Sequence, residues 1–131
     1  MKRGTAEWVK KAEVDHRAAT SLHRRKLLVH DAVCFHCQQC AEKYLKALME
    51  ELTLAIPKTH DLALLLNTLR PHHPRGLRSL GRGMAFLNGF AVDIRYPGKD
   101  SNKRQAEAAL RWAGLVRTAA RALLGIRPSR R

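Results

Sequence analysis

The strongest constraint on the fold of this 131-residue chain is the apolar pattern between residues 31 and 52. Apolar side chains recur there at intervals of three and four, in two adjoining stripes formed by Val33, Cys37, Cys40, Ala41, Tyr44, Leu48 and Leu52, and by Cys34, Ala41, Leu45 and Met49. The buried arc is wide, so a helix with this pattern must contact several neighbours. We therefore expect a central helix that begins at Asp31, its N-cap, and ends near Leu52.

Four further segments show helical periodicity. One covers Thr5–Leu28 with Thr5 as its N-cap, and another follows the cap residue Thr59, with Asp61 in its first turn. A third carries an apolar stripe over residues 77–94, and the last helix follows the cap residue Ser101. Short connections favour antiparallel neighbours. The sequence thus predicts an all-α, up-and-down bundle of about five helices.

The composition agrees with one helical domain over residues 1–131, which includes a short basic C-terminal tail from about residue 126. Hydrophobic residues make up 45% of the chain and aromatic residues only 5%, which favours closely packed helices over a sheet. The N-terminus lacks the apolar segment of an export signal, and no apolar stretch is long enough to span a bilayer. We expect a cytoplasmic protein without membrane contact.

The chain is strongly basic, because 25 Lys and Arg residues stand against 11 Asp and Glu residues and give a formal charge of +14. Such a charge attracts polyanions through counterion release, so nucleic acid is the first partner to consider. Two alternatives stay open. Arginine accounts for 16 of the 25 cations, as in proteins from GC-rich genomes, and an acidic partner protein would also suit this surface.

Three cysteines occur within seven residues, at Cys34, Cys37 and Cys40. An odd number on a predicted helix argues against a disulfide framework. The spacing suggests part of a metal or iron–sulfur site, which His30 or His36 could complete, but a chelating pair of cysteines normally lies on a turn. We expect the three thiols to be core residues, with no metal and no cofactor.

Polar residues mark the faces of the first two helices. Asp15 falls within the apolar stripe of the first helix, where it either reaches water at the helix edge or pairs with another helix, and we expect the first. The polar arc of the central helix forms a strip that we expect to be exposed or interfacial, made up of His36, Gln39, Lys43, Lys46 and Glu50. His60 is expected to orient its loop, and His72 and His73 to lie at the surface.

Several enzyme classes are excluded, because the chain has no H-E-x-x-H, Walker, G-x-G-x-x-G or G-x-S-x-G motif.

The chain resembles the HEPN family, the higher eukaryotes and prokaryotes nucleotide-binding domain. Three segments together carry the resemblance, namely CFHCQQCAEKYLKAL at 34–48, IPKTHDL at 56–62 and IRYPG at 94–98. The resemblance extends from Trp8 to about Leu124. It implies a helical bundle that is commonly a homodimer and is often paired with a minimal nucleotidyltransferase as a toxin–antitoxin system.

The resemblance also bears on catalysis. Catalytic members of the family are metal-independent ribonucleases, in which an Arg is followed after four to six residues by a His near the start of the last helix. Arg95 matches the arginine by position, but no histidine follows it, since the last one in the chain is His73. Other Arg and His pairs at this spacing, Arg17 with His23 and Arg24 or Arg25 with His30, lie on or just after the first helix.

Two functions follow from the resemblance, and a third does not depend on it. The first is a homodimeric nucleotide- or RNA-binding or adaptor domain, whose candidate contacts are Arg95, Tyr96, Lys43, His36, Lys46 and Lys99. The alternative is a ribonuclease toxin in which Arg95 stabilises a pentacovalent phosphate and His36 or Lys43 replaces the missing histidine. The third is a structural subunit for an acidic partner. Arg95 itself could instead be structural and pair with Asp93 or Asp15.

Overall fold

A computed structural model describes residues 1–25, 29–91, 97–98 and 100–128. Within them the chain forms α1 (Arg3–Arg24), α2 (His30–Glu51), α3 (Leu62–Leu69), α4 (Gly81–Asn88) and α5 (Lys103–Leu123), and no strand. The all-α prediction is confirmed. Within the same ranges, no helix combines the length and apolar character needed to cross a bilayer.

The central helix predicted from periodicity is α2, and it contacts each of the other four helices. All of its predicted apolar residues are buried except Leu52, which is partly buried. Asp31 is not its cap, because α2 begins at His30 and Asp31 lies in the first turn. The carboxylate of Asp31 instead accepts hydrogen bonds from the backbone nitrogen (2.7 Å) and hydroxyl (2.5 Å) of Ser101.

The three long helices α1, α2 and α5 form the main layer of the bundle. α1 runs antiparallel to α2, since Thr5 donates a hydrogen bond to Glu51 near the end of α2. α5 begins beside the start of α2 and runs parallel to it. Small buried side chains line the contact faces of both helices and allow close packing, namely Cys34, Cys37 and Cys40 on α2, and Ala106, Ala109, Ala113 and Ala120 on α5.

The two short helices cover the remaining side of α2. The four leucines of α3 at the predicted positions, Leu62, Leu65, Leu66 and Leu69, are buried. α4 is shorter than the predicted stripe, although Leu77 and Leu80 before it are also buried. It packs closely on α5, because a Cβ added at Gly83 would lie 2.1 Å from the Trp112 ring. Leu28 and Ile94, the predicted ends of two helices, lie outside the described residues.

The predicted N-caps are wrong by one to three residues. Thr5 lies within α1, fully buried, and donates to Glu51 at 2.9 Å. Asp61, not Thr59, caps α3 by accepting from two backbone nitrogens. Asn102, not Ser101, caps α5 and forms a capping box with Gln105.

Candidate functional site

Charged side chains at the α1–α2 seam form three clusters, each centred on one carboxylate. Two of the carboxylates, Glu13 and Asp15, lie on α1, and the third, Glu42, lies on α2. Each has at least one cationic partner within 3.0 Å. Because a carboxylate is costly to bury unless it is paired, the contacts of Glu13 and Asp15 with cations on other helices fix how those helices meet, whereas Glu42 and Lys46 pair within α2.

The Asp15 cluster joins two of the predicted site residues. Asp15 is only 6% exposed, and its two carboxylate oxygens contact His36 Nδ1 at 2.8 Å and Lys43 Nζ at 2.5 Å. His36 and Lys43 are seven residues apart on α2 and therefore share a face. The expectation that Asp15 reaches water is wrong, because α2 covers it and supplies both of its partners.

The arrangement makes His36 competent to transfer a proton. A carboxylate oxygen can only accept, so Nδ1 of His36 is the donor and Nε2 is left for solvent or a bound molecule. The His36 side chain is 32% exposed, while Lys43 is 23% exposed. An imidazole oriented in this way by a buried carboxylate is a chemically suitable general acid or base.

The Glu42 cluster separates Lys46 from His36 and Lys43, the other cationic residues of the predicted polar strip. Glu42, itself 4% exposed, accepts from Lys46 Nζ at 3.0 Å and contacts His60 Nδ1 at 2.8 Å. Lys46 is 6% exposed and its Nζ lies 5.8 Å from the Trp8 ring centre, so the prediction that it lies on an exposed or interfacial strip is wrong. His60 also accepts through its backbone oxygen from Gln38 and holds its loop, as its predicted role requires.

The Glu13 cluster ties three helices together. Arg117 on α5 donates to both carboxylate oxygens, at 2.7 and 2.8 Å, and the Tyr44 hydroxyl of α2 donates to the same group. Arg121 Nη1 lies 3.7 Å from Glu13 Oε1. The Arg117 hydrogen bonds lower the pKa of Glu13 to about 2. This cluster was not predicted from the sequence, where its only signal is a carboxylate beside the apolar stripe of α1.

The cysteines are core residues, as predicted, since Cys34, Cys37 and Cys40 are all fully buried. Burial raises the pKa of Cys34 to about 11 and raises the pKa of the other two further. Such thiols stay protonated and are poor nucleophiles. Over the part of the chain that the structure describes, no group of three His, Cys, Asp or Glu residues is placed to hold a metal ion.

The connection before α5 is described only in part. The site candidates Arg95, Tyr96 and Lys99 lie outside the described residues. Gly98 has a φ of 87°, in the left-handed region expected of the Pro-Gly turn. Ser101 ends the connection and is hydrogen bonded to Asp31, five residues before His36 on α2. The structure therefore unites His36 and Lys43 around Asp15 and places Lys46 in a separate, buried pair.

The HEPN domain family model matches residues 5–123. The chain belongs to the HEPN family. No curated protein of known function matches it.

Two solved structures share the fold of this HEPN domain. TT1696 from Thermus thermophilus is 24% identical, with a TM-score of 0.79, over 93% of this chain and 98% of that one. ST0689, an archaeal HEPN homologue, is 23% identical, with a TM-score of 0.72, over 95% of this chain and 99% of that one. These similarities establish the fold of the HEPN domain.

Proposed function

We propose that this HEPN domain binds RNA or nucleotides as a cytoplasmic homodimer and acts as the adaptor component of a toxin–antitoxin-like pair with a minimal nucleotidyltransferase. Family membership supports the proposal, and so does the absence of the histidine that catalytic relatives use after the position of Arg95. An adaptor needs the fold and the basic surface but not the general acid or base.

The distribution of charge is the observation that carries this proposal. Three of the 11 acidic residues, Glu13, Asp15 and Glu42, are paired with cations inside the bundle. Carboxylates used in this way do not neutralise the outer surface, where most of the described arginines lie. The excess positive charge is therefore available to a polyanion.

Five of the six candidate contacts belong to the proposal. Arg95, Tyr96 and Lys99 flank the Pro-Gly turn in sequence, and His36 and Lys43 keep part of their side chains at the surface. We leave out Lys46, because its ammonium group is buried against Glu42 and Trp8. A buried, paired lysine contributes to packing rather than to a ligand.

Binding to a labelled single-stranded RNA, measured by fluorescence anisotropy over a range of salt concentrations, tests the proposal. We expect affinity that falls steeply as salt rises, because each neutralised phosphate contributes about 0.7 to the slope of log affinity against log salt. The same purified protein should sediment as a dimer. A monomer that binds no RNA at low salt would overturn the proposal. The pairing would be tested by asking whether a minimal nucleotidyltransferase is encoded beside the chain and copurifies with it.

The contact between Asp15 and His36 favours a second candidate, a metal-independent endoribonuclease. In this reaction Nε2 of His36 takes the proton of an RNA 2′-hydroxyl, whose oxygen attacks the adjacent phosphorus while the bond to the 5′-oxygen breaks. The products are a 2′,3′-cyclic phosphate and a 5′-hydroxyl, whose proton comes from water. Arg95 stabilises the pentacovalent phosphate. The test is RNA cleavage in the presence of a chelator. Loss of cleavage in both His36→Gln and Arg95→Ala would support this activity, and intact RNA with the wild-type protein would exclude it.

A further inference from the structure

A groove on the outer side of α1 is lined by cations that the clusters described above do not use. Its volume is about 580 Å³, and its described lining consists of His16, Arg17, Thr20, Ser21, Arg24 and Arg25. The three arginines are exposed, whereas His16 and Thr20 are partly buried. No carboxylate lines the groove among the described residues, so its described lining is positively charged.

These arginines differ from the cations of the three carboxylate clusters, because they have no carboxylate partner among the described residues. Lys43, Lys46 and Arg117 each hold a carboxylate within 3.0 Å. Across residues 1–25, 29–91, 97–98 and 100–128, neither Arg17, Arg24 nor Arg25 has a carboxylate within 4.0 Å. A guanidinium without an internal partner keeps its donors available to an anion.

A second groove, of about 380 Å³, is a weaker candidate. It is lined by Arg117, Thr118, Arg121, Ala122, Ile126 and Pro128. Both of its arginines interact with Glu13, at 2.7 and 3.7 Å. An anion there would have to compete with a carboxylate that is already in place, so we assign ligand binding to the groove on α1.

The spacing of the cations on α1 suits a chain of phosphates better than a single one. Arg17 and Arg24 are seven residues apart, which on a helix is two turns and about 10 Å along the axis. Ser21 lies between them, and its hydroxyl can donate a hydrogen bond. Arginine is the preferred side chain for phosphate, which it binds in a bidentate manner.

His16 completes the groove as a hydrogen-bonding group rather than as a fixed charge. Burial lowers its pKa, and the nearby Arg117 lowers that pKa further. The lowered pKa favours the uncharged imidazole. Its backbone oxygen accepts the Thr20 hydroxyl at 2.7 Å, which ties together two of the groove's partly buried residues.

We infer that the groove lined by Arg17, Arg24 and Arg25 binds the phosphodiester backbone of RNA. This inference rests on the RNA-binding function proposed above and adds the surface that makes the contact. The ligand chemistry is a run of phosphates on a flexible strand, met by three arginines along one helix. None of the three belongs to the candidate contacts predicted from the sequence, which lie on α2 and before α5.

The test compares two triple variants that remove the same charge. In the first, Arg17, Arg24 and Arg25 are replaced by Gln. In the matched control the exposed arginines around the start of α4 are replaced instead, as Arg75→Gln, Arg78→Gln and Arg82→Gln. Affinity for a labelled single-stranded RNA of about 20 nucleotides is measured by anisotropy from about 50 to 300 mM salt, after circular dichroism has shown that both variants are folded.

We expect the α1 variant to bind at least tenfold more weakly than the wild type at about 100 mM salt, with a salt slope smaller by about 2, as three lost contacts require. The control should lose less than threefold. Equal losses of RNA affinity in both variants would mean that only the net charge matters, and this would overturn the inference. Unchanged affinity in the α1 variant would overturn it as well. Wild-type protein that binds no RNA would instead refute the proposed function, and the inference with it.

A competition experiment distinguishes the source of the phosphates. Unlabelled ATP and unlabelled RNA are added to the wild-type complex at equal total phosphate concentration. We expect RNA to displace the labelled strand at a concentration at least tenfold lower than ATP. Equal displacement would assign the groove to a single nucleotide and overturn the assignment to a polymer. Displacement by poly-glutamate as effective as that by RNA would assign it to an acidic protein.

Discussion

The inner and outer faces of α1 use charge in opposite ways. On the inner face, Glu13 and Asp15 each contact cations from neighbouring helices within 3.0 Å. On the outer face, Arg17, Arg24 and Arg25 line an open groove and hold no carboxylate among the described residues. Paired charges thus join neighbouring helices, whereas the unpaired charges are the ones that we propose for a ligand. Variants of the two faces should therefore change different properties.

Glu13→Gln should have the largest effect on stability. The amide cannot hold the bidentate contact with Arg117 and leaves Tyr44 and Arg121 with a neutral partner. We expect a loss of about 2 to 3 kcal/mol in the free energy of unfolding, below the value for a fully buried pair because the Glu13 side chain is 23% exposed.

Urea denaturation measures this loss, and Glu7→Gln is the matched control on the same helix. Glu7 is 71% exposed and lies 3.9 Å from Arg3, so its replacement should change stability by less than about 0.5 kcal/mol. Similar losses in the two variants would contradict the role of Glu13.

Acid should weaken the same cluster. The pKa of Glu13 falls from its ordinary value of 4.5 to about 2 in the folded chain. A lowered folded pKa gives stability that is complete above pH 4.5 and is lost as the pH falls toward 2. We expect the difference in unfolding free energy between wild type and Glu13→Gln to shrink by about 2 kcal/mol over this range. A difference independent of pH would contradict this account.

Asp15→Asn should have a smaller effect, because both partners of Asp15 keep access to water. We expect a loss of about 1 to 2 kcal/mol in the free energy of unfolding by urea denaturation. If the chain cleaves RNA, the same variant should also lower the cleavage rate and shift its pH profile, since it changes how His36 is held. A pH profile identical to that of the wild type would limit Asp15 to a packing role.

The α1 triple variant should have the smallest effect on stability. Arg17, Arg24 and Arg25 are exposed, and only Arg24 lies in the last turn of α1, where a cation interacts favourably with the helix dipole. We expect the free energy of unfolding to change by less than about 1 kcal/mol. A larger loss, measured by urea denaturation, would mean that these arginines support the fold.

The apolar stripes could be predicted from the sequence because helical packing repeats every three to four residues. The N-caps could not, because each depends on contacts far along the chain. Ser101 has the right side chain for a cap, but its hydroxyl donates to Asp31, 70 residues away, and Asn102 takes its place. Thr5 likewise does not cap α1, because its hydroxyl donates a hydrogen bond to Glu51.

The site could be predicted only in part. His36 and Lys43 are recognisable as polar residues on one face of a helix. Their partner Asp15 is 21 and 28 residues away, and the pairing depends on how α1 and α2 are aligned. The pattern of a single helix cannot distinguish a carboxylate that reaches water from one that is covered by a neighbour. The groove on α1 was not predicted, because its arginines stood out in the sequence only as members of Arg–His pairs, and their lack of carboxylate partners is visible only in the structure.

The most direct test of this division of charge is the RNA affinity of Glu13→Gln beside that of the α1 triple variant, at one salt concentration where both are folded. We predict that Glu13→Gln binds RNA no more weakly than the wild type despite its lower stability, since it removes a negative charge. The triple variant should bind at least tenfold more weakly at nearly unchanged stability. The reverse order of affinities would contradict the account.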